Sequence, residues 1–496
     1  MTFETNFWII TVVALYLCVT LGIGVWATRR TKSVADFFVA GRSLGMFVMA
    51  IAAFASVQSG FGILGGTGIT FASGLVFVTG IGFAAVLGFG LAWFLVGRRL
   101  FDMGQAGEIY TVGDVVEQRY SSQAVRGAMA VAMVLGVVGY LGTQVQAMGV
   151  VMGAIFGIDT TAGALIGLGI LAIYAVGGGT IAAVYTDVFQ GILMIVVSVA
   201  ICFYAFNVAG GVGEVTATLR AESADLAAPF GALPTMTIVC WVLLFAVGAA
   251  GQPQLLTKFL MIRDAKQLRW GALTAGLAYM CTMFLVVGVG LTALALSLRG
   301  EFPDLSGPDQ ALPAFLTEYT APVFAGLVMA AILSAIMSTG DAFVNLGAAA
   351  IVRDIPRALG REVESELKWS RIAVAGLLIV SVLFSMYLDT LVALLGVFGW
   401  GTFAAAIFPA VVIGLVWRGA TRQGALVSIV LSILVNFVLE IGARYGFTPL
   451  PEGVVNGAFA LAVSIIVFVG VSLMTRETSD AALVGAPPDV VPLEAS

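Results

Sequence analysis

The chain has 496 residues, of which 60% are hydrophobic and only 10% charged, with a formal net charge of −5 and no histidine. A soluble domain carries about 25% charged residues, so the composition excludes that class. The missing imidazole also excludes Ser-His-Asp catalysis, histidine proton relays and His-ligated metals.

Thirteen apolar stretches follow one another: 7–27, 45–70, 75–97, 124–156, 160–177, 181–209, 236–256, 271–298, 321–350, 370–388, 392–417, 424–441 and 455–474. A hydrocarbon core about 30 Å thick needs about 20 apolar residues per helical crossing. Backbone amides in lipid must find partners within their own segment, so each stretch is expected to be a helical span. A β-barrel would show alternating segments of about ten residues instead.

Span 1 has Glu4 ahead of it and its basic cluster behind it, the reverse of a cleavable signal peptide. Span 2 is interrupted by Ala55-Ser56-Val57-Gln58-Ser59-Gly60-Phe61-Gly62. The run Gly177-Gly178-Gly179 reads as a tight turn between spans 5 and 6 rather than a phosphate loop. No GxxxxGK[ST] motif is present, so no ATPase is expected. Span 7 is interrupted by Gly248-Ala249-Ala250-Gly251-Gln252-Pro253-Gln254, where proline removes a backbone donor. Cys18, Cys202, Cys240 and Cys281 stand singly inside spans, as small packing residues do. The polar tail 475–496, with Pro487, Pro488 and Pro492, is expected to be disordered. It ends about 20 residues after span 13, which leaves no room there for a signalling module.

Lys and Arg collect in cytoplasmic loops. Arg29, Arg30, Lys32 and Arg42 follow span 1; Arg98, Arg99, Arg119 and Arg126 follow span 3. Lys258, Arg263, Lys266 and Arg269 follow span 7, and Arg353, Arg357, Arg361, Lys368 and Arg371 follow span 9. Arg418 and Arg422 follow span 11, and Arg476 follows span 13. That places 20 of 23 basic residues on one side, leaving Arg220, Arg299 and Arg444 opposite. The opposite loops are acidic, with Glu214, Glu222, Asp225, Glu301, Asp304, Asp309 and Glu318. The N-terminus is then outside and the C-terminus cytoplasmic, in a multi-pass protein of a bacterial inner membrane.

With span 1 set aside as an extra helix (1–44, with its basic loop), spans 2–6 (45–209) and spans 7–11 (236–417) form two halves of five. An outer loop (210–235) separates them, and two extra helices follow (418–474) before the tail. Each half opens with an interrupted span, one starting inside and the other outside. Such a break is either a kink or an unwound segment whose carbonyls face a cavity or ion. Paired breaks at Gly60 and Gly62, and at Gly251 and Pro253, in inverted halves point to a midplane binding site worked by alternating access.

Ionisable groups inside a membrane cost about 2.5–3.5 kcal/mol each on insertion scales. Asp187 opens span 6, where it either pairs with a cytoplasmic Arg or serves the interior. Asp341 lies within span 9, in Ala335-Ile336-Met337-Ser338-Thr339-Gly340-Asp341. Ala335, Ser338 and Thr339 share a helix face. Their hydroxyls either bond back to the preceding turn or join carbonyls as hard oxygen donors suited to an alkali cation.

Four passages carry a family resemblance: "GRSLG" at 41–45, "GGGTIAAVYTDVFQ" at 177–190, "GQPQLLTKFL" at 251–260, and "SAIMST" at 334–339 with Asp341. Across about 32–420 the chain resembles the sodium:solute symporter family, close in layout to its sodium/proline, sodium/sugar and sialic-acid members. The resemblance implies an all-α polytopic membrane protein with a leucine-transporter-like core of five plus five inverted helices and about 13 transmembrane helices. It implies symport of a small organic solute driven by sodium, with no cofactor beyond that ion, a lipid bilayer around it and no nucleic-acid partner. It places sodium on the Ala55, Gln58 and Ala335 carbonyls and the Ser338 and Thr339 hydroxyls. A second cation, or a coupling group, falls near Asp187 and Asp341.

Solute contacts are expected beside the breaks, from Phe61, Tyr140, Gln144, Trp241, Phe245 and Trp400; packing or interface anchoring is the alternative for each ring. Proline carriers share Tyr140 but have Trp at Phe61, Asp at Val57 and an aromatic residue at Ala249. The polar groups of sugar carriers are missing from 75–97, which holds no ionisable residue. An amino acid such as proline, a monocarboxylate or a pantothenate-like acid fits, its carboxylate facing a helix N-terminus. A proton-coupled carrier and a transporter-like sensor are the alternatives. A membrane enzyme would need an acid–base or nucleophilic constellation that is not seen.

Overall fold

The computed structural model describes residues 3–29, 34–231, 233–388 and 392–476. Arg30, Lys32 and the tail from 477 onward lie outside the described residues.

Apolar stretches become helices at nearly the expected places. Eleven described helices are long and apolar enough to cross a membrane alone. They run Phe7–Ala27, Val78–Ala106, Gln123–Phe156, Gly179–Val208, Thr235–Leu260, Gly271–Leu298, Pro322–Ala358, Glu366–Met386, Leu395–Val416, Arg422–Ala443 and Asn456–Thr475. Met46–Val57 and Phe61–Ser73 together make a twelfth, bent by 61°. Span 5 is shorter than expected, as its apolar helix covers only Thr160–Ile173. Hydrogen bonding runs on from Thr160 to Val208, but Gly179 sits at φ 57°, ψ −166°. A side chain is strained there, so one glycine breaks the helix where a longer turn was expected. Described helices absent from the thirteen-span reading include Val112–Tyr120 and Val212–Glu222, both between spans.

Burial separates core from rim. In span 9 (Pro322–Ala358), 83% of the most apolar window is buried, against 28% in span 1. Span 9 is therefore wrapped by protein, while span 1 lies on the outside against spans 6 and 9. Spans 12 and 13 pack on each other and on span 11.

A buried charge network closes the basic end. Thr111 caps Val112–Tyr120 in a capping box with Asp114. The Asp114 carboxylate accepts from Arg126, from Arg353 Nε at 3.1 Å and from the Tyr110 and Thr111 amides at 3.0 and 3.2 Å. Thr111 Oγ1 donates to Asp354 at 2.7 Å. The Tyr110 ring lies under the guanidiniums of Arg353 and Arg42, 4.6 and 5.6 Å away. Segments from before span 2, after span 3 and the end of span 9 meet here.

Candidate functional site

The first break begins at Gln58, whose backbone is extended (φ −73°, ψ 122°) between Met46–Val57 and the helix that starts at Gly60. Extension there releases preceding carbonyls from the helix ladder. Span 9 supplies their partners. Ser338 Oγ donates to Ala55 O at 2.8 Å and to Ala335 O at 3.3 Å. Thr339 Oγ1 donates to Gln58 O at 2.9 Å and lies 3.4 Å from Ser56 O. All five expected residues, Ala55, Gln58, Ala335, Ser338 and Thr339, are buried. Six hard oxygens from two facing helices thus meet in two hydrogen-bonded groups, one at Ser338 and one at Thr339. Hard cations of calcium's size take oxygens at about 2.3–2.6 Å, so adjacent ligands stand about 3.4 Å apart.

Gly62 sits where a Cβ would run into the Gln58 side-chain amide, so glycine permits the close approach. Gln58 Nε2 donates to Thr282 of span 8 at 2.6 Å. Gln144 Oε1 accepts from the Gly60 amide at 3.1 Å, and Ser59 Oγ pairs with Tyr140 OH at 3.0 Å. Among the described residues, Gln144 Nε2, Gln58 Oε1 and Thr143 Oγ1 are buried without a hydrogen-bond partner.

The aromatic wall forms beside them. Phe61 stacks on Phe245 at 5.5 Å and meets Phe77 edge-on at 5.8 Å. Phe245 in turn contacts Trp400 at 5.0 Å. Trp241, one turn earlier, instead packs its ring against Gly80. The second break is gentler. Gln252 is extended (φ −78°, ψ 120°) and Pro253 starts the next helix, yet Thr235–Leu260 still counts as one span. Gln252 Nε2 donates to Gly248 O and to Trp400 O, both at 3.2 Å, fastening the break to span 11. Gly251 lies against the Phe408 backbone.

Among the described residues Asp187 pairs with no arginine. Its partner is Lys258, Nζ to Oδ2 at 3.0 Å, and both side chains are buried. Lys258 was expected in a loop, but it lies inside Thr235–Leu260. Asp341 Oδ1 accepts from Asn345 Nδ2 at 2.9 Å, one turn along the same helix. A cavity of about 40 Å³, room for a few waters, is lined by Lys258, Gln254, Asn345, Tyr110 and Asp354 among others. It joins the Lys258 region to the basic end.

Sequence reasoning missed Ser59, Thr282, Phe77 and Asn345. The spacing of Asp341 and Asn345 by four was a usable signal. Nothing local marked Thr282, which reaches the site only through span packing.

A family model described as the sodium:solute symporter family matches residues 37–432. A high-affinity proline transporter of Bacillus subtilis is 27% identical over 471 residues, covering 92% of this chain and 96% of the relative. An osmoregulated proline transporter of the same organism is 25% identical, covering 95% and 96%. A sodium/proline symporter of Staphylococcus aureus is 26% identical, covering 94% and 92%. Among solved structures, a Na+-coupled sialic acid symporter in a substrate-bound outward-open state superposes with TM-score 0.74 at 20% identity, covering 95% and 98%. A nucleobase-cation-symport-1 family transporter gives TM-score 0.55 at 15% identity, covering 91% and 98%. The fold is leucine-transporter-like and all-helical, and the protein is an integral multi-pass membrane protein.

Proposed function

Because this chain belongs to the sodium:solute symporter family, we propose that it carries a small carboxylate-bearing solute, an amino acid of proline's size, together with sodium bound between spans 2 and 9. Sodium-coupled symport of a small organic solute is the activity of the family. The solute and the ion's ligands are our reading.

The carrying observation is the convergence of Ala55, Ser56 and Gln58 carbonyls on the Ser338 and Thr339 hydroxyls. In the ion-loaded state those hydroxyls rotate their protons away and turn lone pairs inward with the carbonyls. Spans 2 and 9 belong to different halves, taken as 45–209 and 236–417, so the ion bridges them. Bridging fixes the unwound segment, and with it Gly60, Phe61 and the Ser59–Tyr140 pair that face the solute. Phe61, Phe77, Phe245 and Trp400 shield the solute's apolar part, and the Gln144 amide donates to its carboxylate. Trp241 lines the approach rather than the stack.

Inward movement of one positive charge gains about 2.3 kcal/mol per 100 mV of membrane potential. The basic end faces the cytoplasm, with the N-terminus outside and the C-terminus inside a plasma membrane. The chain performs transport and no covalent chemistry. The proline carriers among the relatives make L-proline the first solute to try.

The test uses full-length protein in liposomes and radiolabelled L-proline. Uptake should rise with an inward sodium gradient and vanish when potassium replaces sodium. Unlabelled amino acids, monocarboxylates and pantothenate are then added as competitors. Equal uptake in potassium defeats sodium coupling. Sodium-driven uptake of another acid without proline uptake defeats only the assignment of the solute.

A further inference from the structure

We propose that Tyr16 of span 1 is a positioning residue for the sodium site, holding the two walls that carry Ala55 and Ser338 at the separation the ion needs. The proposal rests on the ion lying between spans 2 and 9, as read above, and gives the extra helix a part in binding it.

Span 1 meets the protein along one stripe. Ile9, Val13, Tyr16, Thr20 and Ala27 are buried, while Trp8, Leu15, Val19 and Trp26 are exposed. Spacings of three, four and seven put the buried set on one helix face. Tyr16 and Thr20 are its polar members and lie near mid-span, where lipid offers no hydrogen-bond partner.

Tyr16 finds partners on two different spans. Its hydroxyl accepts from Gln190 Nε2 of span 6 at 2.8 Å and donates to Met337 Sδ of span 9 at 3.8 Å. Its ring stacks on Phe189 at 6.2 Å. Gln190 is fully buried and its Oε1 has no partner among the described residues, so the bond to Tyr16 fixes that amide. Span 1 also presses on span 9 at Gly326, where a Cβ would stand 2.9 Å from Val12 and 3.2 Å from the Ile9 backbone.

Both partners sit directly behind the residues that would hold the ion. Met337 precedes Ser338 in the chain. Gly191, next to Gln190, lies against span 2; a Cβ there would stand 2.8 Å from Ile51 and 3.4 Å from the Ala55 Cβ. Ser338 Oγ and Ala55 O in turn meet at 2.8 Å. The contacts close a ring, from Tyr16 through Gln190 and Gly191 to Ala55, across to Ser338, and back through Met337. Span 1 belongs to neither half, yet its hydroxyl joins span 6 of one to span 9 of the other beside Ser338. Groups behind a metal's ligands orient them, and losing such a group weakens metal affinity although it never touches the metal. Without the Tyr16 hydroxyl the Gln190 amide would be left unpaired in a region of low dielectric, and it would turn away to find a partner.

Equilibrium binding of radioactive sodium to the purified full-length protein in detergent, with unlabelled lithium as competitor, tests this. Tyr16→Phe removes one oxygen and keeps the ring. It should raise the sodium dissociation constant about three- to tenfold, the loss of one hydrogen bond. It should also shift the ratio of sodium to lithium affinity, because a given wall separation suits one ionic radius. Gln190→Met should do the same, and carries the test if Tyr16→Phe does not fold. The double variant should be no worse than either single one, since both break one bond. Leu15→Ala, on the exposed face of span 1, should match wild type. Wild-type affinity and ion ratio in folded Tyr16→Phe would overturn the proposal, whatever its melting midpoint. So would multiplied effects in the double variant, or an equal loss in Leu15→Ala. Sodium bound by wild type with no shift in Tyr16→Phe leaves the symport reading standing, whereas no saturable sodium binding by wild type removes that reading itself.

Discussion

Ser338 makes two hydrogen bonds of different origin. Its hydroxyl bonds both back to Ala335 O and across to Ala55 O. The first bond is the ordinary habit of a helical serine; the second exists only because span 2 unwinds at Gln58. Removing a hydroxyl that faces a charged ligand costs about 1.5–3 kcal/mol. Ser338→Ala and Thr339→Ala should therefore each raise the half-saturating sodium concentration about 10–100-fold, with a smaller change in solute affinity at saturating sodium. Sodium titrations of uptake check this, and unchanged half-saturation would move the ion elsewhere. Gln144 makes a separate case. Its Oε1 holds the Gly60 amide while its Nε2 has no partner among the described residues. Gln144→Glu keeps the acceptor and replaces a donor by a negative charge, so it should weaken binding of a carboxylate solute by more than it disturbs sodium binding.

Among the elements, the two breaks are unequal. Span 2 turns by 61° and frees carbonyls, whereas span 7 stays one span and is tied to span 11 through Gln252 and Trp400. In the proposed function ion binding falls to the sharper break, and the gentler one holds the Phe245 and Trp400 side of the aromatic wall. Gly179 sets a third discontinuity. Its backbone lies in a region essentially reserved for glycine, and a side chain there costs about 1–3 kcal/mol. Gly179→Ala should lower the thermal unfolding midpoint in detergent. An unchanged midpoint would mean that spans 5 and 6 join without strain. Sequence pattern alone located both breaks, because Gly, Gln and Pro in an apolar run are local signals. The difference in bend was not legible there, since it depends on which neighbour each break leans against.

For the whole molecule, the basic end is where the charge bias of the loops becomes structure. Arg126 and Arg353 were read as loop charges that orient the chain. Both are instead buried on Asp114, so some residues of the basic end also fasten it. Removing one partner of a buried pair costs about 3–5 kcal/mol, because the other charge is left uncompensated. Arg126→Met should therefore destabilise the protein by about that amount, read by detergent melting, and Asp114→Asn added to it should recover part of the loss. A double variant no more stable than Arg126→Met would show the two residues to be uncoupled.

The apolar character and order of most spans and the positions of the two breaks were legible in the sequence; the thirteen-span count was not matched, since eleven described helices, or twelve with the bent pair, are long and apolar enough to cross. The legible features are properties of residues close along the chain: apolar length, the charge of flanking loops, and glycine or proline in the wrong company. The tertiary structure alone decided which distant groups meet. Lys258 counts as a loop residue in sequence and as the buried partner of Asp187 in space; Thr282 reaches Gln58 from another span; Trp241 turns to Gly80 while Phe245 turns to Phe61. Such pairings depend on how helices rotate and tilt against one another, which is governed by packing across the whole bundle rather than by the order of residues within any one of them.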